Sequence, residues 1–367
     1  MKLHHPIRHR LAIAAAVTAL AIAVPTVAAQ AATSPRAQTS GGVIQRYLAA
    51  HGSHFSTVFG GTEFPDYGLT LDGVLAMDSA GVGDYRSGKA TDYVAAHIQG
   101  YISDGVPADA ATEQYAGATA KALLVSISQG FLPKNTLGGG IDLVTRLKSL
   151  ETPSGRFSDK SSFGDFSNAI GQSLALVSLH RAGKRLSHSS IAFLRQQQCT
   201  NGGFKLNPDD PGCTADPDAT SFAVQGLLAA PQTTVTKNRI RFAIGYLKTQ
   251  MNSAGGVKGA GPTNTANANS TGLAVMSFDS AGYKTLGSKG RSYLRSLRFG
   301  CAYPTGMRGA VAYNKARLTE AGAQGPSAKL IDQDLRATTQ AVLGFSGRSL
   351  LTISNAGARF SSPRVSC

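Results

Sequence analysis

Four carboxylates fall within ten residues, between positions 209 and 218: Asp209, Asp210, Asp216 and Asp218. Oxygen ligands at this density suit Ca²⁺, which prefers carboxylate and carbonyl oxygens. Pro-Asp turns and an aspartate that caps a helix account for the same residues without a cofactor. The sequence therefore predicts either a calcium site at Asp209, Asp210 and Asp216 or a turn that leads into a capped helix.

Other familiar chemical motifs are missing from the 367 residues. The sequence contains no Gly-x-Ser-x-Gly elbow, no His-Glu-x-x-His helix and no phosphate-binding loop. Acid and base residues that meet only after folding escape a linear scan, so an enzyme is not excluded. The formal charge of +15 favours anionic partners, but no nucleic-acid-binding motif accompanies it.

The first 31 residues have the pattern of a signal peptide. Basic residues precede an apolar run rich in Ala and Ile, and a small-x-small site ends at Ala31. An uncleaved anchor is the alternative, but Pro25 interrupts the run. We expect an exported chain with no stable membrane insertion after cleavage, a flexible linker over 32–40 and one domain over 41–367. Cleavage removes three bases and no acid, which leaves +12.

The mature chain contains an even number of cysteines, which in an exported protein indicates disulfides. Three pairings are possible. We favour Cys199 with Cys213, which closes a short loop, and Cys301 with Cys367, which ties down the C-terminal tail. Zinc is the alternative, but no CxxC motif or histidine companion supports it.

Two families of apolar segments alternate along the chain at intervals of about fifty residues. In the first family, Leu48, Ile98, Leu147, Leu194, Leu247 and Leu294 occupy equivalent positions. In the second, which is rich in Ala, Gly, Ser and Thr, the equivalent residues are Asp72, Lys121, Gln172, Gln225, Leu273 and Gln340. Both families have helical spacing, and small residues indicate close packing in an inner layer. Six helical hairpins predict an all-α fold, a closed (α/α)6 toroid with an insertion in the last repeat.

The fourth repeat shows the motif most clearly. An outer helix ends in Gln198, a Gly-Gly-Phe turn ends at Phe204, and Asp216 opens a Thr/Ser/Ala-rich inner helix. This order resembles the prenyltransferase and squalene-oxidase repeat, and the chain is similar to an exported bacterial-type member of that terpenoid-cyclase-like superfamily. The resemblance implies an α/α toroid over residues 41–350. Since terpene cyclases, protein prenyltransferase subunits, complement thioester domains and cobalamin carriers share the fold, it leaves the function open.

The segment Asp216 to Ser221 is similar to the Asp-x-Asp-Asp-Thr-Ala acid motif of terpene cyclases. The resemblance implies that Asp218 would protonate an alkene with help from Asp216, although Ala219 replaces the third acid. Carbocation chemistry also needs aromatic faces, and the chain contains no Trp. The candidate binding aromatics on predicted inner helices are Tyr67, Tyr115, Phe166 and Phe222.

We therefore expect a secreted, monomeric toroid, extracellular or associated with the cell wall, that binds a small hydrophobic molecule or an anionic cell-envelope polymer without catalysis. One alternative is an enzyme, either a terpene-cyclase-like or prenyltransferase-like enzyme that uses Asp218 or an exported lyase or glycosidase on the related α/α toroid. A structural envelope module, whose centre would be filled by side chains, is another. Charge is polarised: residues 61–113 carry a net −7 and residues 284–367 a net +10. A basic pole would attract an anionic polymer in a salt-dependent way.

Overall fold

The protein is described here by a computed structural model that covers residues 34–109, 111–131, 137 and 140–367. The predicted signal peptide lies outside these residues. Six helices form an outer layer: α1 (Pro35–Ala50), α3 (Asp84–Ala96), α6 (Leu143–Ser149), α8 (His188–Gln196), α10 (Thr234–Thr249) and α12 (Lys284–Ser296). Six form an inner layer: α2 (Tyr67–Ala80), α5 (Ala116–Ser128), α7 (Ala169–Arg181), α9 (Pro217–Ala229), α11 (Ala268–Ser280) and α14 (Asp332–Ser346).

Short elements decorate this frame. They are helices α4 (Gln99–Ile102) and α13 (Lys315–Ala323), 3-10 turns at Pro107–Asp109, Gly261–Thr263 and Gly325–Ser327, and strands β1 (Phe55–Phe59), β2 (Thr62–Asp66), β3 (Phe204–Lys205) and β4 (Ala215–Asp216). The strands form two antiparallel hairpins, β1 with β2 and β3 with β4.

The inner helices close into a ring. Each packs on the next in the order α2, α5, α7, α9, α11 and α14, and α14 packs back on α2. The outer helices lie around them; α8, for example, packs on both α7 and α9. The closed (α/α)6 toroid predicted from the repeats is therefore confirmed, with the two segment families in the predicted layers.

Small residues let the inner helices approach closely. A Cβ atom added to Gly171 on α7 would lie 3.1 Å from the Cα of Gly117 on α5. A Cβ added to Gly272 on α11 would lie only 2.2 Å from the carbonyl oxygen of Gln340 on α14. Interiors are packed too densely to absorb such an atom without movement, so glycine at these positions sets the diameter of the ring.

In five repeats the turn is anchored to its inner helix by the same hydrogen bond. The backbone N–H of the buried Phe204 donates to Oγ1 of Thr220 at 2.8 Å. Equivalent bonds join Phe55 to Thr70, Phe157 to Gln172, Val257 to Thr271 and Val311 to Thr338. Gly202 precedes Phe204 with φ of +89°, and a Cβ there would meet the carbonyl oxygen of Phe242 on α10 at 2.5 Å. The Gly-Gly-Phe motif thus contacts both the inner helix α9 and the outer helix α10.

The last repeat contains the predicted insertion, which includes α13 and has a small core of its own. Phe299, Met307 and Leu318 pack there against Val43 of α1, so the insertion covers the junction between the last and first repeats. Disulfides join Cys199 to Cys213 and Cys301 to Cys367, which is the pairing that the sequence favoured. Among the residues covered, no helix combines the length and the apolar character needed to span a membrane.

The predicted linker needs a correction. Helix α1 begins at Pro35 rather than after residue 40, because the Ser34 hydroxyl accepts from the Ala37 N–H and Pro35 supplies a suitable first helical residue. Ala37 and Ser40 are fully buried, and Ser40 donates to the carbonyl of Gly309 at 2.6 Å. The polar composition of this stretch concealed a packed helical turn.

Candidate functional site

A partly enclosed cavity of about 210 Å³ lies on the axis of the inner ring. Every inner helix contributes to its wall, and a segment beyond α14 closes one end. The lining residues are Asp72, Leu75, Lys121, Ile170, Leu174, Phe222, Leu273, Thr339, Gln340, Leu343 and Leu350. Most of this surface is apolar, so the cavity suits a ligand whose body is apolar.

One side of the cavity is polar. The Lys121 ammonium lies 2.7 Å from a carboxylate oxygen of Asp72 and 3.4 Å from the carbonyl of Gly68. Burial alone would lower the pKa of Lys121, but Asp72 and then Tyr101 outweigh it and raise the pKa above its usual range. Burial also raises the pKa of Tyr101 to about 12. Lys121 therefore stays charged at any physiological pH, and Tyr101 stays neutral.

Gln340 completes the polar side. Its Oε1 is buried and has no hydrogen-bond partner among the residues covered. A buried acceptor without a donor costs about 1–3 kcal/mol, so a ligand that supplies a donor here would recover that energy.

The floor of the cavity is fixed by side chains from opposite parts of the chain. Oε1 of Gln225 accepts from Ser349 Oγ at 2.7 Å and from the Leu350 N–H at 3.1 Å. Arg181 donates to the carbonyls of Leu350 at 3.0 Å and Ile353 at 2.7 Å. These bonds hold the segment after α14 against the C-terminal ends of the inner helices, so a ligand would enter from their N-terminal ends.

The entrance lies one helical turn above the lining residues. Asp218 precedes the cavity residue Phe222 by four positions on α9, and Asn269 precedes Leu273 by four on α11, so each pair shares a helix face. Oδ1 of both Asp218 and Asn269 is buried without a hydrogen-bond partner in the part of the chain described. Polar groups with unused capacity therefore surround the entrance.

The two aspartates of the predicted acid motif have different surroundings. Asp216 caps α9, with Oδ1 accepting from the Ala219 N–H at 2.8 Å. Burial raises the pKa of Asp218 to about 6; the Ser270 hydroxyl lowers it and Asp216 raises it by smaller amounts. Ala219 is fully buried, so the position of the missing third acid belongs to the core. Asp218 alone keeps the surroundings of a proton donor.

No family model and no curated protein matches the chain, but solved structures do. It resembles the unsaturated glucuronyl hydrolase from Bacillus sp. GL1, with 10% identity, a TM-score of 0.56 and coverage of 84% of this chain and 95% of that one. It also resembles the type II terpene cyclase MstE from Scytonema, with 11% identity, a TM-score of 0.57 and coverage of 85% and 97%. A protein from Actinoplanes matches with 12% identity, a TM-score of 0.57 and coverage of 85% and 99%.

The chain has the α/α-toroid fold of these proteins. At such low identity the likeness concerns the fold alone, and the two neighbours named as enzymes are of different kinds, a hydrolase and a cyclase. One MstE structure contains geranylgeranyl dihydroxybenzoate as substrate. The function of this toroid therefore has to be argued from its own cavity.

Of the four predicted binding aromatics, one lines the toroid's cavity: Phe222. Tyr67 lies at the start of α2 against His97, beside a separate surface pocket, and Tyr115 lies at the residue before α5. The placement of Phe166 on an inner helix was wrong. Asn168 caps α7, so Phe166 falls in the preceding loop, where its side chain is 73% exposed.

The acidic residues of the predicted calcium loop bind three different partners. Asp209 accepts two bonds of 2.8 Å from Arg156, Asp210 accepts from Asn207 at 2.7 Å, and Asp216 caps α9. Across the described ranges, no group of three or more His, Cys, Asp or Glu side chains is arranged to hold a metal. A calcium site there stays a prediction from composition.

Sequence reasoning missed the polar side of the cavity, although it placed Asp72, Lys121 and Gln340 at equivalent positions of their repeats. The available signal was a charged or amide residue midway along an otherwise apolar helix. The sequence alignment also placed Gln172 two residues out of register. Gln172 accepts the N–H of its own turn as Thr70 and Thr220 do, and Leu174 is the residue of α7 at the position of Lys121 in the cavity wall.

Proposed function

We propose that this protein binds a small, mostly apolar alcohol or phenol in the central cavity of the toroid, without catalysis. The observation that carries the proposal is the cavity itself, which has apolar walls and one polar side. A structural module with a filled centre would lack it.

The size of the ligand follows from the volume. A dry cavity of about 150 Å³ accommodates benzene, so 210 Å³ corresponds to roughly ten non-hydrogen atoms. A geranylgeranyl chain carrying an aromatic ring is several times larger. A single ring with alkyl substituents, or a chain of two isoprene units, matches the volume.

The polar side indicates a hydroxyl group. A hydroxyl can donate to the unused Oε1 of Gln340 and accept from the Lys121 ammonium. A carboxylate would instead compete with Asp72 for the same ammonium. A hydrocarbon would leave Gln340 unsatisfied, so the hydroxyl adds both affinity and orientation.

Lys121 also argues against carbocation chemistry in this cavity. Its ammonium remains charged, and a positive charge developing on a substrate nearby would be repelled. Among the residues that the structure describes, Phe222 is the single aromatic side chain in the wall, whereas cation stabilisation relies on several aromatic faces.

The test compares thymol with p-cymene, which differ by one hydroxyl group, in titration calorimetry against the mature protein. We expect thymol to bind at least about tenfold more tightly, since one hydrogen bond to a charged group is worth on the order of 1.5 kcal/mol. Gln340→Leu should weaken thymol and leave p-cymene unchanged, and Leu174→Phe, which fills the cavity, should weaken both. Binding that ignores Leu174→Phe would refute the site. Native mass spectrometry of protein from its own secretion medium would reveal a bound natural ligand.

A second candidate is acid catalysis at the entrance, which rests on the partly buried Asp218 with its unused Oδ1 and its pKa of about 6. Turnover of an isoprenoid or an unsaturated glucuronide that is lost in Asp218→Asn would establish it and overturn the non-catalytic proposal. The control is Asp210→Asn, which neutralises an exposed carboxylate of the loop before α9.

We also infer that the protein is exported and acts outside the cell. Two disulfides and a leader with the signal-peptide pattern support this. Amino-terminal sequencing of the secreted protein would test it, with a start at or near residue 32 expected and an intact leader as the contrary result.

A further inference from the structure

A groove of about 340 Å³ runs along the junction between the first repeat and the C-terminal tail, away from the central cavity. Helix α1, the start of α3 and the tail form its sides. Its lining residues are Gln45, Arg46, Ala49, Tyr85, Arg86, Phe360, Ser361, Ser362 and Arg364. Arg46 and Arg364 also line a smaller adjoining cavity together with Arg308.

Four arginines thus line these two cavities, in which Arg86 also donates to Ser53 Oγ at 3.2 Å and Arg308 to the carbonyl of Tyr303 at 2.9 Å. No carboxylate lines either cavity, and none of Arg46, Arg86, Arg308 and Arg364 forms an ion pair within the described residues. Burial lowers the pKa of Arg46, and the nearby Arg364 lowers it further. Guanidinium groups that repel each other in a groove are stabilised by an anion between them.

The tail that carries Arg364 is held in place. The backbone of Arg359 pairs with Gly81 at 3.0 Å and with Asp84 at 3.2 Å, and Gln45 donates to the carbonyl of Phe360 at 2.9 Å. The Cys301–Cys367 disulfide fastens its end. A ligand therefore meets arginines on fixed backbone, which reduces the entropy lost on binding.

Two aromatic rings border the arginines. Tyr85 and Phe360 lie 5.8 Å apart, and the Arg86 guanidinium lies 5.6 Å from the Tyr85 ring centre. The rings are 51% and 71% exposed, and Ser361 and Ser362 line the same groove. The groove thus offers faces for the uncharged part of a ligand and donors for its charged part.

We propose that this groove binds a phosphate-bearing polyanionic chain. A phosphate presents several acceptor oxygens in different directions, so it can accept from arginines on opposite sides of the groove at once, which a two-oxygen carboxylate does less well. The groove itself, at about 340 Å³, has room for more than one phosphate along a chain, and Arg308 lies in the adjoining cavity. The proposal is independent of the ligand in the central cavity.

The charge pattern of the whole chain agrees with this assignment. Arg308 and Arg364 belong to the segment 284–367 with net +10, and the ring closure brings Arg46 and Arg86 beside them. Binding should therefore weaken steeply as salt rises, because counter-ions are released from the polyanion.

The experiment measures binding of linear polyphosphate, inorganic phosphate and poly-L-glutamate to the mature protein by calorimetry at several salt concentrations. The test variant is Arg46→Gln/Arg364→Gln. The control is Lys289→Gln/Arg295→Gln on α12, where two exposed bases of the same segment lie outside the groove. Both pairs remove two positive charges, so a difference in affinity between them reports the effect of the groove and not the effect of net charge.

We expect polyphosphate affinity to fall about tenfold or more in the test pair, with a shallower salt dependence, and less than about twofold in the control. If the test pair fails to fold, Arg86→Gln/Arg308→Gln leaves the tail residues intact and should give the same loss. Equal losses in test and control pairs, or no binding of polyphosphate at low salt, would overturn the proposal. Poly-L-glutamate or single phosphate binding as tightly as polyphosphate would overturn the assignment to a phosphate-bearing chain.

Discussion

Substituting alanine for Gly272 tests whether the close approach of α11 and α14 sets the shape of the cavity. The added Cβ would lie 2.2 Å from the Gln340 carbonyl oxygen, about 1.2 Å short of the 3.4 Å at which ordinary contact begins. Both contacting groups belong to helix backbones, so a rotamer change gives no relief. The helices must move apart by about an ångström.

The expected cost follows from a matched glycine. Gly245 lies exposed on the outer helix α10, where an added Cβ has nothing within 4 Å. Replacing glycine with alanine in a helix gains about 0.5–1 kcal/mol at either position. That gain cancels in the comparison, so the difference isolates overpacking, which costs about 1–3 kcal/mol.

Urea unfolding followed by circular dichroism measures both variants against the native chain. Gly245→Ala should stabilise the protein, whereas Gly272→Ala should be about 1–3 kcal/mol less stable than Gly245→Ala and should bind thymol more weakly, since Gln340 moves with its helix. Two variants of equal stability would show that the inner ring yields at little cost. The argument that glycines fix its diameter would then be wrong.

Three stability changes and one null result follow from other contacts. The pKa of Asp218 is raised to about 6, so this group stabilises the folded chain below about pH 4, and that stability is lost as pH rises through 6. As pH rises from 4 to 6, the free energy of unfolding of Asp218→Asn should therefore increase by about 1–2 kcal/mol relative to that of the native chain, as measured by urea titrations. Arg317→Met leaves the fully buried Asp334 carboxylate without its 2.8 Å partner and should cost about 3–5 kcal/mol, which the further change Asp334→Asn should partly restore. Replacing Cys301 and Cys367 by serine opens a loop of 66 residues and should cost about 4 kcal/mol and weaken polyphosphate binding. Dialysis against a chelator should leave the Tm unchanged, since the carboxylates before α9 already have protein partners. A fall in Tm of several degrees would instead support calcium binding by this loop.

The repeat pattern predicted the fold because each hairpin uses the same physical solution. A buried residue such as Phe204 and the threonine that accepts its N–H recur in successive repeats, so periodicity alone identifies the layers. Departures from the repeat were harder to predict. Phe166 lies in a loop because the residue that caps α7 is Asn168 and not Asp165. Asp165 accepts from the Ser167 N–H within the loop, and the helix begins only after Asn168.

The polar side of the cavity was beyond prediction for a related reason. Asp72 and Lys121 occupy equivalent positions in successive repeats, but a pair 49 residues apart forms no linear motif. Gln172, which the sequence aligned with Lys121, occupies the position of Thr70 and Thr220 and faces its own turn, whereas Leu174, two residues later, faces the cavity as Lys121 does. Periodicity fixes which helix a residue belongs to more securely than the direction in which its side chain points.

The two proposed sites differ in what creates them. The central cavity arises from the repeat itself, because every inner helix contributes to it, and it is specialised only by the few polar side chains that replace apolar ones. The groove lies at the junction of the first and last repeats, where the regular pattern is interrupted. The insertion in the last repeat packs on α1, and the tail crosses that junction and brings Arg364 beside Arg46. A toroid must close its ring by joining unlike repeats. The segments that seal this junction contact surfaces that no other repeat offers, which makes it a natural place for a second binding site.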